Sequence, residues 1–308
     1  MDKLNVGVVG VGFLGSLHAR IYHQLEDVTL VGVCDCYKKR AKKVSKKFHT
    51  DYYLNYKDLI GKVQAVSIAV PTHLHYKIAK DFLSAGVHVL IEKPVTRTVE
   101  EADELIDIAT DKDLILQVGH IERFNSAIRA VEGLLTEPRF IECHRMGPFK
   151  KRVSDVGVVL DLMIHDIDIV LGLVKSKVKT IEAVGVKILS DHEDIANVRL
   201  TFENGTISDL IASRVTEKSR RTISIFQKDI FISLNYAEQS ATVHKKKDSR
   251  IKKKKLRIKK QEPLKKELES FVDCVLHSKR PVVSGEEGRR ALAVAVEISK
   301  RIRETTEK

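Results

Sequence analysis

Three side chains along one stretch could move a proton. In Val159-Leu-Asp161-Leu-Met-Ile-His165-Asp-Ile-Asp168, Asp161 and His165 are four residues apart and Asp168 is seven from Asp161. That spacing places all three on one face of a helix. An otherwise apolar helix that aligns two carboxylates and an imidazole carries a desolvation cost unless the groups are used or well paired. Histidine is the side chain best suited to accept an alcohol proton near neutral pH, and a carboxylate one turn away would orient it. A purely structural network, with His165 bridging two aspartates, fits the same spacing. A metal does not fit: the pair lacks the further ligands, nothing nearby supplies them, and no metal is expected.

A second candidate is Lys93, in Glu92-Lys93-Pro94, directly after the apolar run Val87–Ile91. In open α/β sheets ligands collect at the carboxyl ends of the strands. A lysine beside the positive ring of an oxidised nicotinamide has a reason for a lowered pKa, and it can hydrogen-bond a substrate hydroxyl. A solvated Lys-Pro turn is the plainer alternative.

What would bring a nicotinamide there is Gly10-Val-Gly12-Phe13-Leu14-Gly15, between the first apolar run and the first helical segment. In that setting Gly10 permits the tight turn and Gly12 lets the backbone approach a pyrophosphate. Gly15 allows helix to pack on strand, and the turn through Phe13 and Leu14 supplies amides to the phosphates. Asp35 lies 20 residues after Gly15, at the end of the second run, where a carboxylate takes both ribose hydroxyls of an adenosine. That favours NAD. Lys38, Lys39 and Arg40 partly offset the repulsion toward a 2′-phosphate, so NADP is the lesser alternative. Cys34 and Cys36 beside it read as buried or half-buried structural thiols.

Further polar groups gather at the same strand ends. Pro71-Thr72-His73-Leu74-His75 follows a strand and begins a helix, with Thr72 expected as its cap and His75 facing the cofactor or a sugar. Gly119-His-Ile-Glu-Arg-Phe-Asn125 offers His120, Glu122, Arg123 and Asn125 to a polyhydroxylated ligand. Arg152 and Asp155, before the Asp161 helix, are further substrate-side candidates, with interdomain salt bridging as their alternative.

These residues need a scaffold, and the pattern supplies one. Residues 1–120 alternate β-branched apolar runs (4–9, 28–34, 65–70, 87–91, 114–118) with helical segments (13–25, 37–47, 73–85, 99–112). Such alternation predicts an α/β Rossmann domain, a doubly wound parallel sheet. Thr98-x-x-Glu101 marks a helix start. After a helical stretch near 124–135 the pattern changes to successive strands with turns, at 139–147, 178–188, 193–202, 206–214, 221–227, 230–236, 240–246 and 250–259. Asn204-Gly205 is a strong hairpin signal among them. Helices 263–277 and 284–303 close the chain, the second opened by Ser284-x-x-Glu287. Residues 121–308 thus read as an α+β domain with a largely antiparallel open sheet, for substrate binding and oligomerisation. The closing helices within 263–308 have the option of packing back on the domain formed by residues 1–120.

The motifs Gly10-x-Gly12-x-x-Gly15, Pro71-Thr-x-x-His75, Glu92-Lys93-Pro94 and Asp161-x-x-x-His165 resemble those of the Gfo/Idh/MocA oxidoreductases. So do Glu269-Ser-Phe271 and Pro281-x-x-Ser284-Gly-Glu-Glu-Gly288, and the likeness runs over essentially the whole chain. The resemblance implies a nicotinamide-dependent dehydrogenase acting on a ring hydroxyl of a sugar or cyclitol. Lys93, Asp161 and His165 match its catalytic positions, and Thr72, His75 and Glu92 match positions near the nicotinamide. It also implies a homodimer or homotetramer joined through the second domain's sheet. Within the family, 118–125 and 152–161 are similar to the UDP-N-acetylglucosamine 3-dehydrogenases, which implies a nucleotide sugar oxidised at its 3-hydroxyl, on the way to amide-linked lipid A. Two departures are visible: the family has two glycines ahead of the aspartate, where here only Gly157 stands, and the lysine-rich hairpin is unusual for it.

Composition is compatible with this reading. The 308 residues suit two domains, no apolar run of about 20 residues is present, and Met1-Asp-Lys leads straight into the first strand without a signal peptide. Four scattered Cys make no disulfide framework. A cytoplasmic protein is expected. The net charge of +12 is mostly local, since residues 245–260 hold eleven Lys or Arg and one Asp. With no aromatic among them, a solvated edge strand fits better than nucleic-acid or membrane binding. Three rivals stand beside the nucleotide-sugar reading: an inositol or free-sugar dehydrogenase of the same family, a non-catalytic NAD-binding sensor, and a polyanion binder using the lysine run.

Overall fold

Strand order decides where a ligand can sit in the first half of the chain. The computed structural model describes residues 3–149 and 156–306. Six parallel strands, β1 (Leu4–Val9), β2 (Val28–Cys34), β3 (Asp51–Tyr53), β4 (Ala65–Ile68), β5 (His88–Glu92) and β6 (Leu116–Gly119), lie in the order β3-β2-β1-β4-β5-β6. The order reverses at β1/β4, which is the switch point where a doubly wound sheet opens a crevice at its carboxyl edge. The connecting helices are α1 (Phe13–Gln24), α2 (Lys38–Phe48), α3 (His75–Ser84) and α4 (Val99–Asp111). Apolar residues of β1, α1 and α2 share a core with Leu264, Leu268, Phe271 and Val272 of α7 (Pro263–His277). The Thr98 cap forms as its spacing predicts, with Glu101 N donating to Thr98 Oγ1 at 3.2 Å, while the Glu101 carboxylate accepts from Arg97 N at 3.1 Å.

The second half is an eight-stranded sheet. Its strands are β7 (Phe140–Met146), β8 (Val178–Val186), β9 (Ile195–Phe202), β10 (Ile207–Ser213), β11 (Arg220–Gln227), β12 (Ile230–Asn235), β13 (Ser240–Lys247) and β14 (Arg250–Lys255), in the order β14-β13-β12-β11-β7-β10-β9-β8. The turn at Asn204-Gly205, with Gly205 at φ +82, joins β9 to β10. One face of this sheet packs on α5 (Ser126–Glu132), α6 (Ile164–Val174) and the later residues of α8 (Gly285–Thr306), around Ile223, Ile225, Leu210 and Val198. The chain divides into one unit of residues 1–121 and 262–289 and another of 122–261 and 290–308.

Several details depart from the sequence reading. Strand β3 was not expected, because three residues at a sheet edge leave no periodic signal. The second sheet is antiparallel except for β7 and β10, which pair in parallel. Thr72 does not cap α3: it lies in a short 3-10 turn, and neither helix start there has a side-chain cap. Cys36 is exposed, while Cys34 is buried and burial pushes its thiol pKa up to about 12. The lysine run forms β13 and β14, and β14, exposed throughout, is the edge strand. The strand ends at Lys255, and Leu256 and Ile258 pack against the core instead of continuing it. No described helix is long and apolar enough to cross a membrane.

Candidate active site

The first unit supplies a cradle of backbone. Gly10 has φ +83, and a Cβ there would lie 2.6 Å from the Ala69 carbonyl oxygen. At Gly15 a Cβ would lie 1.8 Å from the Gly10 carbonyl oxygen. Neither position tolerates a side chain, so the turn and the first helix close on one another. Gly12 is the opposite case, with nothing within 4 Å of where its Cβ would stand. That open space beside amides at a helix start is what a pyrophosphate needs. Asp35, 6% exposed, accepts hydrogen bonds from Val11 N (3.1 Å) and Tyr37 N (2.9 Å), which fixes its carboxylate at the end of β2. These residues fit NAD.

At the next strand end, Glu92 lies at the close of β5 opposite Gly119, whose missing side chain leaves the carboxylate room 3.1 Å away. Its Oε1 is 3.2 Å from His18 Nε2, and its Oε2 accepts from Lys93 N at 3.3 Å. Burial alone would raise the Glu92 pKa. The His18 hydrogen bond and the charges of Lys93 and His75 outweigh it, so the group stays below its ordinary value. His75 is buried, with Nδ1 2.8 Å from the Pro94 carbonyl and Nε2 2.9 Å from the Val70 carbonyl. The ring sits between the loop after β4 and the loop of Lys93 and Pro94, and in its neutral form its one N–H donates to one of the two carbonyls. From there His75 acts on where Lys93 stands.

The second unit carries Asp161 and His165, both half-buried. Val159–Met163 form a π-helical turn that runs into α6, an irregularity that recurs at functional sites. Three sets of contacts pin this helix. At its start, Val158 N donates to the Glu193 carbonyl (2.9 Å) and Val159 N to Glu193 Oε1 (3.4 Å). Arg214 reaches the Val156 carbonyl (2.7 Å) while bonding Asp194 Oδ1 (2.7 Å). Burial works against the Asp194 charge, but the amides of Leu189 and Ile188 together with Arg214 hold its pKa well below the usual range.

Next to His165, Asp166 is 1% exposed and receives Arg145 Nε and Nη2, each at 3.0 Å. The Tyr236 hydroxyl donates to the same carboxylate, and Arg145 also reaches Glu122 Oε1 at 3.3 Å. Burial opposes the Arg145 charge, yet Asp166, Tyr236 and Glu122 raise its pKa well above the ordinary value. Farther along, Arg123 Nη1 lies 3.4 Å from both the carbonyl and Oδ1 of Asp168. Asp161, with Arg145, Arg221 and Ser219, lines a cavity of about 70 Å³.

The expected site residues therefore divide. Asp161 and His165 are half-buried on the helix, and Asp168 is 2% exposed and paired with Arg123. Glu122 and Asn125 are buried in the Arg145 network, where Asn125 donates to Glu122 Oε2 (3.1 Å) and the Tyr236 carbonyl (2.9 Å). His120 is 1% exposed after β6. Thr72 is half-buried and Pro71 exposed. Arg152 and Asp155 lie outside the described residues. Among the described residues, no three His, Cys, Asp or Glu side chains converge as metal ligands. Arg145, Glu193, Asp194, Arg214 and Tyr236 were not expected, since the partners that give them a role lie 20 or more residues away in the sequence.

Two measurements follow from this geometry. Replacing Arg145 with Ala strands two buried carboxylates and should cost about 3–5 kcal/mol in denaturant unfolding. The double replacement Arg145→Met, Asp166→Leu should cost less, and a single loss under about 1 kcal/mol would show the pair is not holding the helix. For His75, burial lowers the pKa against the opposing pull of two carbonyls. The folded state therefore favours the neutral ring. Its contribution is complete above about pH 6.5 and is lost as pH falls from there toward the lower folded-state value. His75→Gln should flatten the fall of Tm between about pH 7 and 5; an unchanged slope would assign that fall to other groups.

Residues 4–120 match the model of an oxidoreductase family with an NAD-binding Rossmann fold, and residues 127–230 match the GFO/IDH/MocA C-terminal domain. Over 305 residues the chain is 34% identical to the UDP-N-acetylglucosamine 3-dehydrogenase of Acidithiobacillus ferrooxidans, covering 97% of each. A solved structure of the enzyme of that name from the same organism superposes with a TM-score of 0.93 at 35% identity, over 98% of both chains. The myo-inositol 2-dehydrogenase of Thermotoga maritima is 25% identical over 331 residues, covering 98% of this chain and 97% of that one. Matched in both halves and along nearly its full length, the chain belongs to the Gfo/Idh/MocA family and is an NAD-dependent oxidoreductase.

Proposed function

We propose that the protein oxidises the 3-hydroxyl of UDP-N-acetylglucosamine to a ketone. The observation that carries the substrate is the full-length, 34% identity to the Acidithiobacillus ferrooxidans enzyme of that name. NAD, when bound, supplies the hydride acceptor. The chain's own residues handle the proton. His165 accepts it from the sugar hydroxyl as the hydride leaves the same carbon, so that the C–O bond becomes a carbonyl. Asp161, one turn away on a helix held at three points, orients the imidazole and stabilises its charged form. Lys93 donates a hydrogen bond to the hydroxyl oxygen and eases its ionisation. The buried Arg145–Asp166 pair supports this reading because it fixes the backbone at the residue after His165.

The same reading makes the protein a homo-oligomer joined through the sheet face opposite α5, α6 and α8. In support, that face carries the ring row Phe140, Phe226, Phe231 and His244. It also carries Val184 and Val186, each about half exposed.

The substrate is tested by following reduced nicotinamide on mixing protein, NAD and UDP-N-acetylglucosamine. Inositol, glucose and UDP-glucose run in parallel, and an aminotransferase with glutamate draws off the keto product. Turnover with the acetylamino nucleotide sugar alone is the expected result, and turnover with inositol or glucose in its place would overturn the substrate. His165→Ala should lower kcat by about 100-fold or more while leaving NAD binding intact. Retained turnover would remove His165 as the base.

A further inference from the structure

One buried side chain of α1 is more polar than its place requires. His18 is 0% exposed, and a leucine there would fill space without the desolvation cost of an imidazole. Among the described residues its Nδ1 meets no hydrogen-bond partner. What polarity His18 brings therefore passes through one contact, Nε2 to Glu92 Oε1 at 3.2 Å.

That contact decides the state of Glu92. Burial opposes its charge, and the His18 hydrogen bond is the first influence to outweigh burial, followed by the charges of His18, Lys93 and His75. An ionised carboxylate has no proton to give, so His18 Nε2 is the donor. The second oxygen, Oε2, accepts from Lys93 N at 3.3 Å. Both oxygens are thus engaged, and the carboxylate has a fixed direction.

Its place matters as much as its charge. Glu92 ends β5, at the carboxyl edge where the crevice opens. Unlike His18 it keeps 8% of its surface there. Asp35 follows β2, on the other side of the β1/β4 switch point. With the adenosine half on that side, the nicotinamide half falls toward β4 and β5. Oxidised nicotinamide carries a positive charge that the reduced ring lacks. Lys93 adds a cation at the same strand end, and a cation alone disfavours the oxidised ring. A carboxylate beside it acts in the opposite sense.

We infer that His18 is a positioning residue for the nicotinamide: by donating to Glu92 it holds a negative charge at the end of β5 that strengthens binding of the oxidised ring relative to the reduced one. Such a bias suits an oxidation, which takes up oxidised cofactor and releases reduced. The inference rests on NAD as the cofactor and is independent of the sugar and of His165.

Calorimetric titration of the purified protein with NAD and with NADH, without sugar, tests it. His18→Leu fills the space without a donor, and Glu92→Gln keeps the shape of the side chain without its charge. Each should lower the ratio of NADH Kd to NAD Kd by about tenfold. The double variant should shift the ratio no further than the larger single change. His18→Gln, whose amide N–H can donate to Glu92, should stay within about threefold of the wild type. A thermal melt of each variant checks the fold, and the isosteric Glu92→Gln decides the matter where His18→Leu does not fold. A role in the fold alone would weaken both forms of the cofactor equally. That outcome, or a ratio unchanged in Glu92→Gln or in His18→Leu, would overturn the assignment.

Discussion

The charge on Asp166 is the constraint around which the second unit is arranged. A carboxylate 1% exposed in an apolar helix is affordable only with a counter-charge and its remaining lone pairs met. Arg145 gives two parallel hydrogen bonds from β7, and Tyr236, just past β12, gives a third. Arg145 in turn needs more than one anion, which draws Glu122 inward, and Asn125 satisfies Glu122. Each buried polar group thus recruits the next until every one of these is paired. An apolar contact of similar volume would serve stability as well, but it would let the helix slide or turn. A bidentate ion pair has one geometry, and it stands beside His165.

The two units solve different problems of positioning. A phosphate must come close to backbone, so the first unit works by leaving side chains out. Gly10 and Gly15 let the turn close, and Gly12 leaves the space open. The proton acceptor proposed above, His165, must instead be held by its side chain at one orientation, and the second unit pins the helix that carries it. Where the first unit does need to place side chains, at Glu92 and Lys93, it again uses local devices. A glycine on the neighbouring strand and a histidine set between two loops serve there.

How much of this was legible in the sequence depends on how local the signal is. The glycine turn, Asp35, the alternation of strands and helices, the Asn-Gly hairpin and the Asp161/His165 spacing all lie within short windows, and the corresponding elements fell within a few residues of expectation. The parallel pairing of β7 with β10 joins residues about 67 apart, and no local pattern encodes it. Arg145, in β7, and Tyr236, just past β12, carry no local signal until the sheet brings them to Asp166, 21 and 70 residues away. Glu122 and Asn125 show the converse. A polar cluster at a strand end looks the same whether it faces a sugar or a buried arginine, and the deciding partner lies 23 residues on, in β7.

The single glycine ahead of Asp161 is understandable on the same terms. At position 157 a Cβ would land 1.9 Å from Glu193 Oε1. Any side chain there would push the carboxylate away from the amide of Val159, which it meets at the helix start. Glycine is therefore demanded at 157 by what Glu193 does. At position 156 the structure uses only the carbonyl, which accepts from Arg214 Nη1. A backbone acceptor is indifferent to the side chain it carries, provided that side chain has room, and Val156 is half-buried. Position 157 serves the helix start through the absence of a side chain, and position 156 through its backbone carbonyl alone.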